Sequence, residues 1–503
     1  MIGDDTARQA PFWERGWLWL LIAAVSTLPF VVSPLPMMPD YFTHTARYHI
    51  MNHGAQSPFL SRYFDFQWSL IGNLGVDLMM VPLGLVLPTE PAARLAAAVI
   101  PPLTVWGIHA VAKGAWGKVP PTALLALPFV WTFSFIYGFV NYHLGVALGL
   151  LVLALWMRLP ALSARWRYPL FAVLAMVVWI AHVAAWGGLL VMIGMWELTT
   201  QLRSADSPLK ATWTTVLRTL PLLLPLVFIL LWRAASAGTA DLFSYDWRLK
   251  MVWPFVVLKA ENKVFDIACV GVLAGITAWL LISRRTTKDV RLLAMAAGLA
   301  GAYLAMPTML FNSFFADQRL LPVLAIVLVL SVAPLDRRQG MIVALVGLAL
   351  FGVRLAAISV GWHQRAIAAQ QDLGALDQVP KGSRIAALAV TTYCGPWQMR
   401  GFEHLASLAI IRRDAFTNTQ WDTPGAQLMH PAYNKGRPFN ELSSVTLGGG
   451  RTQCAGPSVV QSLAALPRDR FDYVWIFDQP EQRLPWLRQV FHGPDGRLYA
   501  IRR

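Results

Sequence analysis

Three residues that could carry proton-transfer chemistry follow the first apolar stretch of the sequence. Asp40, His44 and Arg47 stand at positions i, i+4 and i+7, so a helix beginning after Pro39 would place them on one face. A carboxylate is a candidate general base, and a nearby histidine or arginine can set its pKa or hold an anion. On this interpretation Asp40 and His44 are catalytic and Arg47 binds substrate. The structural alternative is that Asp40 caps an interfacial helix and the other two are solvated.

Further polar residues that could take part in catalysis or binding lie between the later apolar stretches. A second carboxylate, Asp65, is a further catalytic candidate. The other candidates for substrate binding are Arg62, Asn141, His143, His182, Asp317 and Arg319. An arginine at a membrane edge can bind a lipid phosphate through paired hydrogen bonds, or it can be an anchor whose head reaches the interface. A histidine at a turn is often structural, so both interpretations stay open.

The composition identifies the elements that must position these residues. Hydrophobic residues make up 56% of the 503 and charged residues 14%, against roughly 25% charged in an ordinary soluble domain. From about residue 16 to about residue 360, apolar stretches of about 15–21 residues alternate with short polar segments, and about 20 apolar residues cross a bilayer. The pattern predicts an α-helical polytopic membrane protein with about eleven transmembrane helices. The first stretch, 16–38, is too long for a cleavable signal and is interpreted as an anchor.

The distribution of arginine and lysine predicts the topology. The net charge of +15 is attributed to cytoplasmic loops that face anionic lipid, not to nucleic-acid binding. We expect a cytoplasmic N-terminus, a first outer loop at 38–69 and an extracytoplasmic C-terminal domain. The later predicted crossings are 121–138, 139–157, 168–183, 184–199, 216–234, 264–283, 290–308, 320–334 and 341–360.

One region leaves two alternatives open. Between residues 70 and 117 there are two apolar stretches, but the charge pattern requires an odd number of crossings. Either 70–88 lies at the outer interface, or 92–112 dips in without crossing because Pro101 and Pro102 break the helix.

The chain is predicted to divide into a membrane domain, 1–361, and a soluble periplasmic α/β domain, 362–503. Segments 383–390, 471–478 and 496–503 have the pattern of strands, and 401–416 that of an amphipathic helix. Cys394 and Cys454 both lie in this domain, where an oxidising compartment permits a disulfide, and whether they are bonded stays open.

The predicted topology brings the polar segments to one side of the membrane, as an extracytoplasmic active site requires. The sequence contains no ATPase-type phosphate loop, no dinucleotide fingerprint and no zinc-protease motif. No cofactor is therefore predicted with certainty, and a divalent metal stays open.

Three short motifs give the sequence a family resemblance. They are Pro39-Asp40 with His44 and Arg47, the turn Tyr137-Gly138-Phe139-Val140-Asn141, and Asp317-Gln318-Arg319-Leu320-Leu321 before a late helix. In these motifs, and in the tail segment HLASLAIIRRDAF, the chain resembles a bacterial branch of the C-type (GT-C) membrane glycosyltransferases.

The resemblance implies a bacterial inner-membrane enzyme that uses a polyprenyl-phosphate-linked sugar donor and a glycan, lipid or protein acceptor. Asp40 would match the acid that deprotonates the acceptor hydroxyl. Arginine can bind a phosphate through paired hydrogen bonds, so Arg319 is the candidate to hold the donor phosphate. Many members place a second acid beside the first, but Tyr41 stands here. Asp65 is the candidate substitute, and the role of a metal stays open.

Other functions remain alternatives at this point. A polysaccharide polymerase or ligase would share the polyprenyl-linked substrate. A transporter would place ionisable residues near the bilayer midplane and show repeated halves, and no internal repeat is found. A non-catalytic envelope assembly protein would bind a partner through its outer domain and leave Asp40 dispensable.

Overall fold

The computed structural model describes residues 10–235, 243–310, 313–392, 396–423, 427–442, 446–448 and 456–503. Cys394 and Cys454 lie outside the described residues, and so does the question whether they are bonded. In the described part, seven helices are long and apolar enough to cross a membrane, and five shorter apolar helices accompany them. The predicted fold class, a polytopic helical membrane protein with a C-terminal α/β domain, is confirmed.

The membrane part is helical almost throughout. Its α-helices are Gly16–Val25, Leu28–Val32, Pro39–His53, Leu60–Tyr63, Gly75–Val86, Thr89–Ala98, Ile100–Trp116, Thr122–Leu125, Phe133–Tyr137, Val140–Arg158, Ala164–Ala181, Val183–Gln201, Pro208–Thr219, Leu224–Ala235, Trp247–Val256, Lys263–Ile282, Val290–Ala305, Leu321–Leu330 and Arg337–Leu373. Short 3-10 helices are Phe12–Glu14, Gly54–Gln56, Leu127–Val130, Leu220–Leu223, Gln318–Leu320 and Gly374–Gln378.

Some predicted crossings are interrupted. Segment 121–138 folds as three short, buried helices instead of one, with Pro121 and Pro128 at two of the starts. Proline suits a helix start because its missing N–H is not needed there, whereas inside a helix it removes a hydrogen bond. The first anchor is likewise divided at Ser26 and Thr27, ahead of Pro29.

The region between residues 70 and 117 contains one long apolar span. Thr89–Trp116 forms a 28-residue stretch with a break near Val99. The break lies just before Pro101 and Pro102, which fall in the first turn of Ile100–Trp116, where proline is tolerated. Gly75–Val86 has 12 residues and is about 18 Å long at about 1.5 Å per residue, shorter than a bilayer core. This arrangement favours the alternative in which 70–88 lies at the interface.

The C-terminal domain, called the outer domain after its predicted side of the membrane, is built on a six-stranded mixed sheet. Its longer strands are Arg384–Val390, Tyr473–Phe477, Leu487–His492 and Gly496–Ile501, with short strands at Phe416–Thr417 and Thr446–Leu447. Arg384–Val390 lies parallel to Tyr473–Phe477, which pairs antiparallel with Gly496–Ile501. The helices of this domain are Phe402–Leu405, Leu408–Arg413 and Val459–Ala465. Strands therefore occur in the predicted segments, but the helix predicted at 401–416 is two short helices.

Residues 38–69, predicted as the first outer loop, contribute to the core of this domain. Strand Phe64–Phe66 pairs antiparallel with Met429–Pro431. Ala46 and Ile50 join the same buried apolar cluster as the central strand of the sheet. Helix Arg337–Leu373 runs continuously through the predicted domain boundary at 361. The packing of residues 38–69 against this domain positions helix Pro39–His53 next to its sheet.

The remaining strands are short and lie at the ends of the membrane helices. Phe243–Ser244, Met309–Leu310 and Ser313–Phe314 form one small sheet, and Thr286–Lys288 pairs with Val332–Pro334. The first of these sheets leads directly into the segment that carries Arg319.

Candidate functional site

A cavity of about 530 Å³ lies where the outer domain meets the membrane part. Five predicted site residues line it: Asp40, His44, Asn141, His182 and Arg319. The outer domain contributes residues that the sequence analysis did not single out, above all Glu403, His404 and Trp421.

Helix Pro39–His53 carries the two candidate catalytic residues of the cavity. Proline at its first turn pre-sets the helical backbone, and Asp40 follows immediately. Asp40 and His44 are one turn apart, so both face the cavity, as the i, i+4 spacing predicts. Asp40 is only 6% exposed, which separates it from an ordinary solvated helix cap. The functional interpretation of this face is therefore favoured over the solvated one.

A glycine in the second motif permits the close packing around Asp40. Gly138 has φ +119, a backbone conformation that residues with a side chain rarely adopt. A Cβ atom at Gly138 would lie 2.8 Å from the Cβ of Asp40 and 3.0 Å from its backbone nitrogen. The turn between Phe133–Tyr137 and Val140–Arg158 thus packs directly against the start of helix Pro39–His53.

The outer domain brings a histidine against Asp40. The Nε2 atom of His404 lies 3.3 Å from Oδ1 of Asp40 and 3.9 Å from Oε1 of Glu403. Glu403 is itself held, because its Oε1 accepts a hydrogen bond of 2.9 Å from the backbone N–H of Thr392. Gly401, at φ +71, lets the preceding turn approach the Cα of Pro39. A buried histidine thus bridges two buried carboxylates across the domain junction.

Burial and neighbouring charges shift the pKa values of Asp40, His404 and His44. Burial raises the pKa of Asp40, although the hydrogen bond and the charge of His404 act in the opposite direction. Burial alone would lower the pKa of His404, but the hydrogen bond that its Nε2–H donates to Asp40 and the charge of Glu403 raise it overall. For His44, burial and the nearby positive charges of Arg47 and His404 lower the pKa well below its ordinary value. His44 is therefore neutral near pH 7, and its Nδ1 has no hydrogen-bond partner among the described residues.

Arg319 supplies positive charge at the membrane side of the cavity. Its guanidinium stacks over the ring of Phe139 with the carbon 4.8 Å from the ring centroid. The hydroxyl of Tyr142 donates to the backbone carbonyl of Arg319, which fixes the segment that carries it. Arg319 is 9% exposed, so it is not an anchor with its head free in the interface.

An aromatic side chain from the outer domain covers the two histidines. The ring of Trp421 lies 5.5 Å from that of His44 and 5.1 Å from that of His404, measured between centroids. An apolar wall next to the carboxylate lowers the local polarity, which strengthens every electrostatic interaction in the cavity.

Asn141 and Arg47 belong to a buried polar network beside the cavity. The guanidinium of Arg47 forms two hydrogen bonds to Asp77, at 3.0 and 2.9 Å, and both side chains are buried. Asn141 donates to Asp77 at 3.0 Å and accepts from the backbone N–H of Val76 at 2.7 Å. Arg47, predicted to bind substrate, is instead paired with a carboxylate 30 residues away in the chain. The pair joins helix Pro39–His53 to helix Gly75–Val86.

The two predicted histidines of the later turns have different surroundings. His182 lines the cavity, and its Nδ1 accepts a hydrogen bond of 3.1 Å from the backbone N–H of Ala184. That bond leaves Nε2 as the protonated nitrogen of the neutral ring. His143 lies outside the cavity and is fully buried, with Nε2 2.9 Å from the hydroxyl of Ser134.

Three further predicted residues lie away from the cavity. Asp317 is completely buried and pairs with Lys250 at 3.0 Å, so it organises the segment before Arg319. Asp65 and Arg62 are exposed on the first outer loop, where Asp65 stands opposite His430 in the strand pair. The second acid proposed for the loop is therefore not beside Asp40. The second carboxylate close to Asp40 is instead Glu403, which lies 3.9 Å from the same nitrogen of His404 and whose charge acts on Asp40.

The missed residues had only a weak sequence signal. Glu403 and His404 are adjacent in the segment GFEHL, ahead of an apolar run, and nothing local connects them to a loop more than 350 residues earlier. Among the described residues, no group of three or more His, Cys, Asp or Glu side chains is arranged to hold a metal ion.

Comparison with solved structures gives a distant structural likeness. No protein-family model matches the chain, and no curated protein matches it. The crystal structure of ArnT from Cupriavidus metallidurans bound to undecaprenyl phosphate is 13% identical and covers 96% of this chain and 98% of its own, with a TM-score of 0.49. A likeness this distant does not assign the chain to a family.

Proposed function

We propose that this chain is a membrane glycosyltransferase, which moves a sugar from a polyprenyl-phosphate-linked donor to an acceptor hydroxyl at the outer face of the cytoplasmic membrane. The observation that carries the proposal is the shared cavity of Asp40 and Arg319. It combines a buried carboxylate with a buried guanidinium where the membrane helices meet the outer domain.

The two groups suit the two ends of a glycosyl transfer. Asp40 accepts the proton of the acceptor hydroxyl as its oxygen forms a bond to the anomeric carbon. The bond from that carbon to the phosphate oxygen breaks, and its electron pair leaves with the phosphate. Arg319 stabilises the charge that develops on that oxygen. The products are the glycosylated acceptor, free polyprenyl phosphate and a proton on Asp40.

The place of the cavity suits a donor that cannot leave the bilayer. Its walls include Tyr142 and His182, at the ends of two apolar helices, and Trp421 from the outer domain. A polyprenyl carrier presents its phosphate and sugar at the membrane surface, where such a cavity opens. A lipid-linked sugar needs no nucleotide site, which agrees with the absence of nucleotide motifs from the sequence.

The proposal is tested by removing the proton acceptor without changing its shape. The full-length protein in nanodiscs is assayed with a panel of labelled polyprenyl-phosphate monosaccharides, both hexoses and pentoses, and an envelope extract as acceptor. Asp40→Asn is expected to lower transfer by about 10²–10⁴-fold, the contribution of a general base.

Asp65→Asn is the matched control, because it removes an exposed carboxylate from the same loop. It should retain transfer near the wild-type rate. Wild-type protein that discharges none of the donors, or a folded Asp40→Asn variant with wild-type transfer, would overturn the proposal.

A further inference from the structure

We infer that His404 is a positioning residue which the outer domain supplies to the active site, and that it holds Asp40 in the carboxylate form that can accept a proton. The inference rests on the proposed function and assigns a catalytic contribution to the C-terminal domain. That domain would then be an obligatory part of the enzyme, not an appended binding module.

The geometry places His404 where it can act on Asp40. Both side chains are buried, at 1% and 6% exposed, and Nε2 of His404 lies 3.3 Å from Oδ1 of Asp40. A buried carboxylate favours its protonated form, because the charged form has lost its solvation. A protonated carboxyl group cannot serve as a general base. An opposite charge within about 4–6 Å offsets that loss and restores the carboxylate.

Glu403 makes it favourable for His404 to carry that charge. A buried histidine by itself would be neutral, yet a second carboxylate lies 3.9 Å from the same nitrogen. Glu403 is fixed by the N–H of Thr392 at the end of strand Arg384–Val390. The outer domain thus holds Glu403 in place. The charge of Glu403 stabilises the imidazolium form of His404, and this imidazolium stabilises the carboxylate form of Asp40.

The other charged and titratable groups around the pair come from several elements. His44 lies one turn along the catalytic helix and Arg319 precedes helix Leu321–Leu330, while Tyr137, Tyr142, His182 and Glu441 line the remaining wall. Arg319 also favours the carboxylate, but in the proposed reaction its charge is shared with the donor phosphate. His404 is the cation that can remain with Asp40 throughout the reaction.

The first experiment measures the protonation of Asp40 directly and needs no substrate. Infrared difference titration of the full-length protein follows the carboxyl C=O band, which is assigned to Asp40 by its loss in Asp40→Asn. His404→Gln removes the positive charge and should move this titration to higher pH by about one to three units, the usual effect of a close opposite charge.

A second substitution distinguishes charge from packing. Without His404, the remaining effect of Glu403 on Asp40 is repulsion between like charges. Adding Glu403→Gln to His404→Gln should therefore move the titration of Asp40 back to lower pH. A purely structural role for His404 predicts further damage from the second change and no return.

The matched control is His430→Gln, which breaks another histidine–aspartate pair of the outer domain. The Nδ1 atom of His430 lies 2.8 Å from Oδ1 of Asp422, and the side chain of His430 is partly exposed. Its removal should leave the titration of Asp40 unchanged. If His404→Gln also leaves it unchanged, the inference is wrong.

Transfer assays separate this inference from the proposed function. With the donor that wild-type protein discharges, the acidic limb of the pH–rate profile should move upward in His404→Gln by the same amount as the infrared titration. If transfer occurs but neither the infrared titration of Asp40 nor the acidic limb of the pH–rate profile moves in His404→Gln, the inference fails and the proposed function stands. If Asp40 titrates as expected but no donor is discharged, the proposed function fails while the electrostatic role of His404 is retained.

Discussion

Gly138→Ala should damage catalysis without touching any polar group of the cavity. The alanine Cβ would lie 2.8 Å from the Cβ of Asp40 and 3.0 Å from the backbone nitrogens of Asp40 and Tyr41. Two of these neighbours are backbone atoms, so the clash cannot be relieved by a rotamer change and the start of the catalytic helix must shift. The positive φ of +119 adds strain of about 1–3 kcal/mol for a residue with a side chain.

The expected size of the effect follows from that displacement. A shift of about 1 Å in a catalytic group can cost about 10²-fold in rate, so we expect kcat for sugar transfer to fall by about one to two orders of magnitude. The melting temperature should also fall, by an amount that corresponds to about 1–3 kcal/mol.

Gly194→Ala provides the control for this experiment. Gly194 lies within helix Val183–Gln201, and a Cβ there would meet nothing within 4 Å. Alanine is the better helix former by about 1 kcal/mol, so stability and transfer should be kept or slightly improved. A Gly138→Ala protein with wild-type kcat and wild-type stability would refute the close packing described for Asp40.

Three further predictions concern the donor phosphate, the segment before Arg319, and the topology. Arg319→Ala should weaken binding of undecaprenyl phosphate by about 1.5–3 kcal/mol, the contribution of a hydrogen bond to a charged group. Arg62→Ala should leave the binding unchanged. Equal affinities of the wild-type and Arg319→Ala proteins in a direct binding titration would contradict the role of Arg319. Lys250→Met removes the cation paired with the buried Asp317 and should destabilise the protein by about 3–5 kcal/mol in thermal unfolding. The double variant Lys250→Met with Asp317→Leu should recover most of the lost stability. If the double variant is no more stable than the single one, the pair is not what holds this segment. An alkaline phosphatase reporter fused after residue 503 should be active, and an inactive reporter would place the C-terminal domain in the cytoplasm.

Local patterns in the sequence were sufficient for the fold class and for one face of the site. The strands at 383–390, 471–478 and 496–503 have uninterrupted apolar or β-branched runs, and the structure forms a strand in each. Asp40 and His44 share a helical face because helix geometry alone brings i and i+4 together. The prolines of segment 121–138 were visible as well, but their positions at helix starts became clear only in the folded chain.

Long-range pairings were the part that local patterns could not supply. Arg47 looks like a free cation in the sequence, yet it is paired with Asp77 from helix Gly75–Val86. His404 has no local feature that relates it to Asp40, because a tertiary contact brings them together. Asp65 seemed a suitable second acid by proximity in the chain, but strand pairing with His430 holds it at the surface.

Native mass spectrometry of lipids retained by the protein tests the central claim most directly. If Asp40 is the base for transfer from a lipid carrier, Asp40→Asn protein purified from membranes should retain a polyprenyl phosphate that still carries its sugar. Wild-type protein from the same membranes should retain the bare polyprenyl phosphate, because it has discharged the donor. Lipids of the same mass in both proteins, or no isoprenoid phosphate in either, would contradict the account.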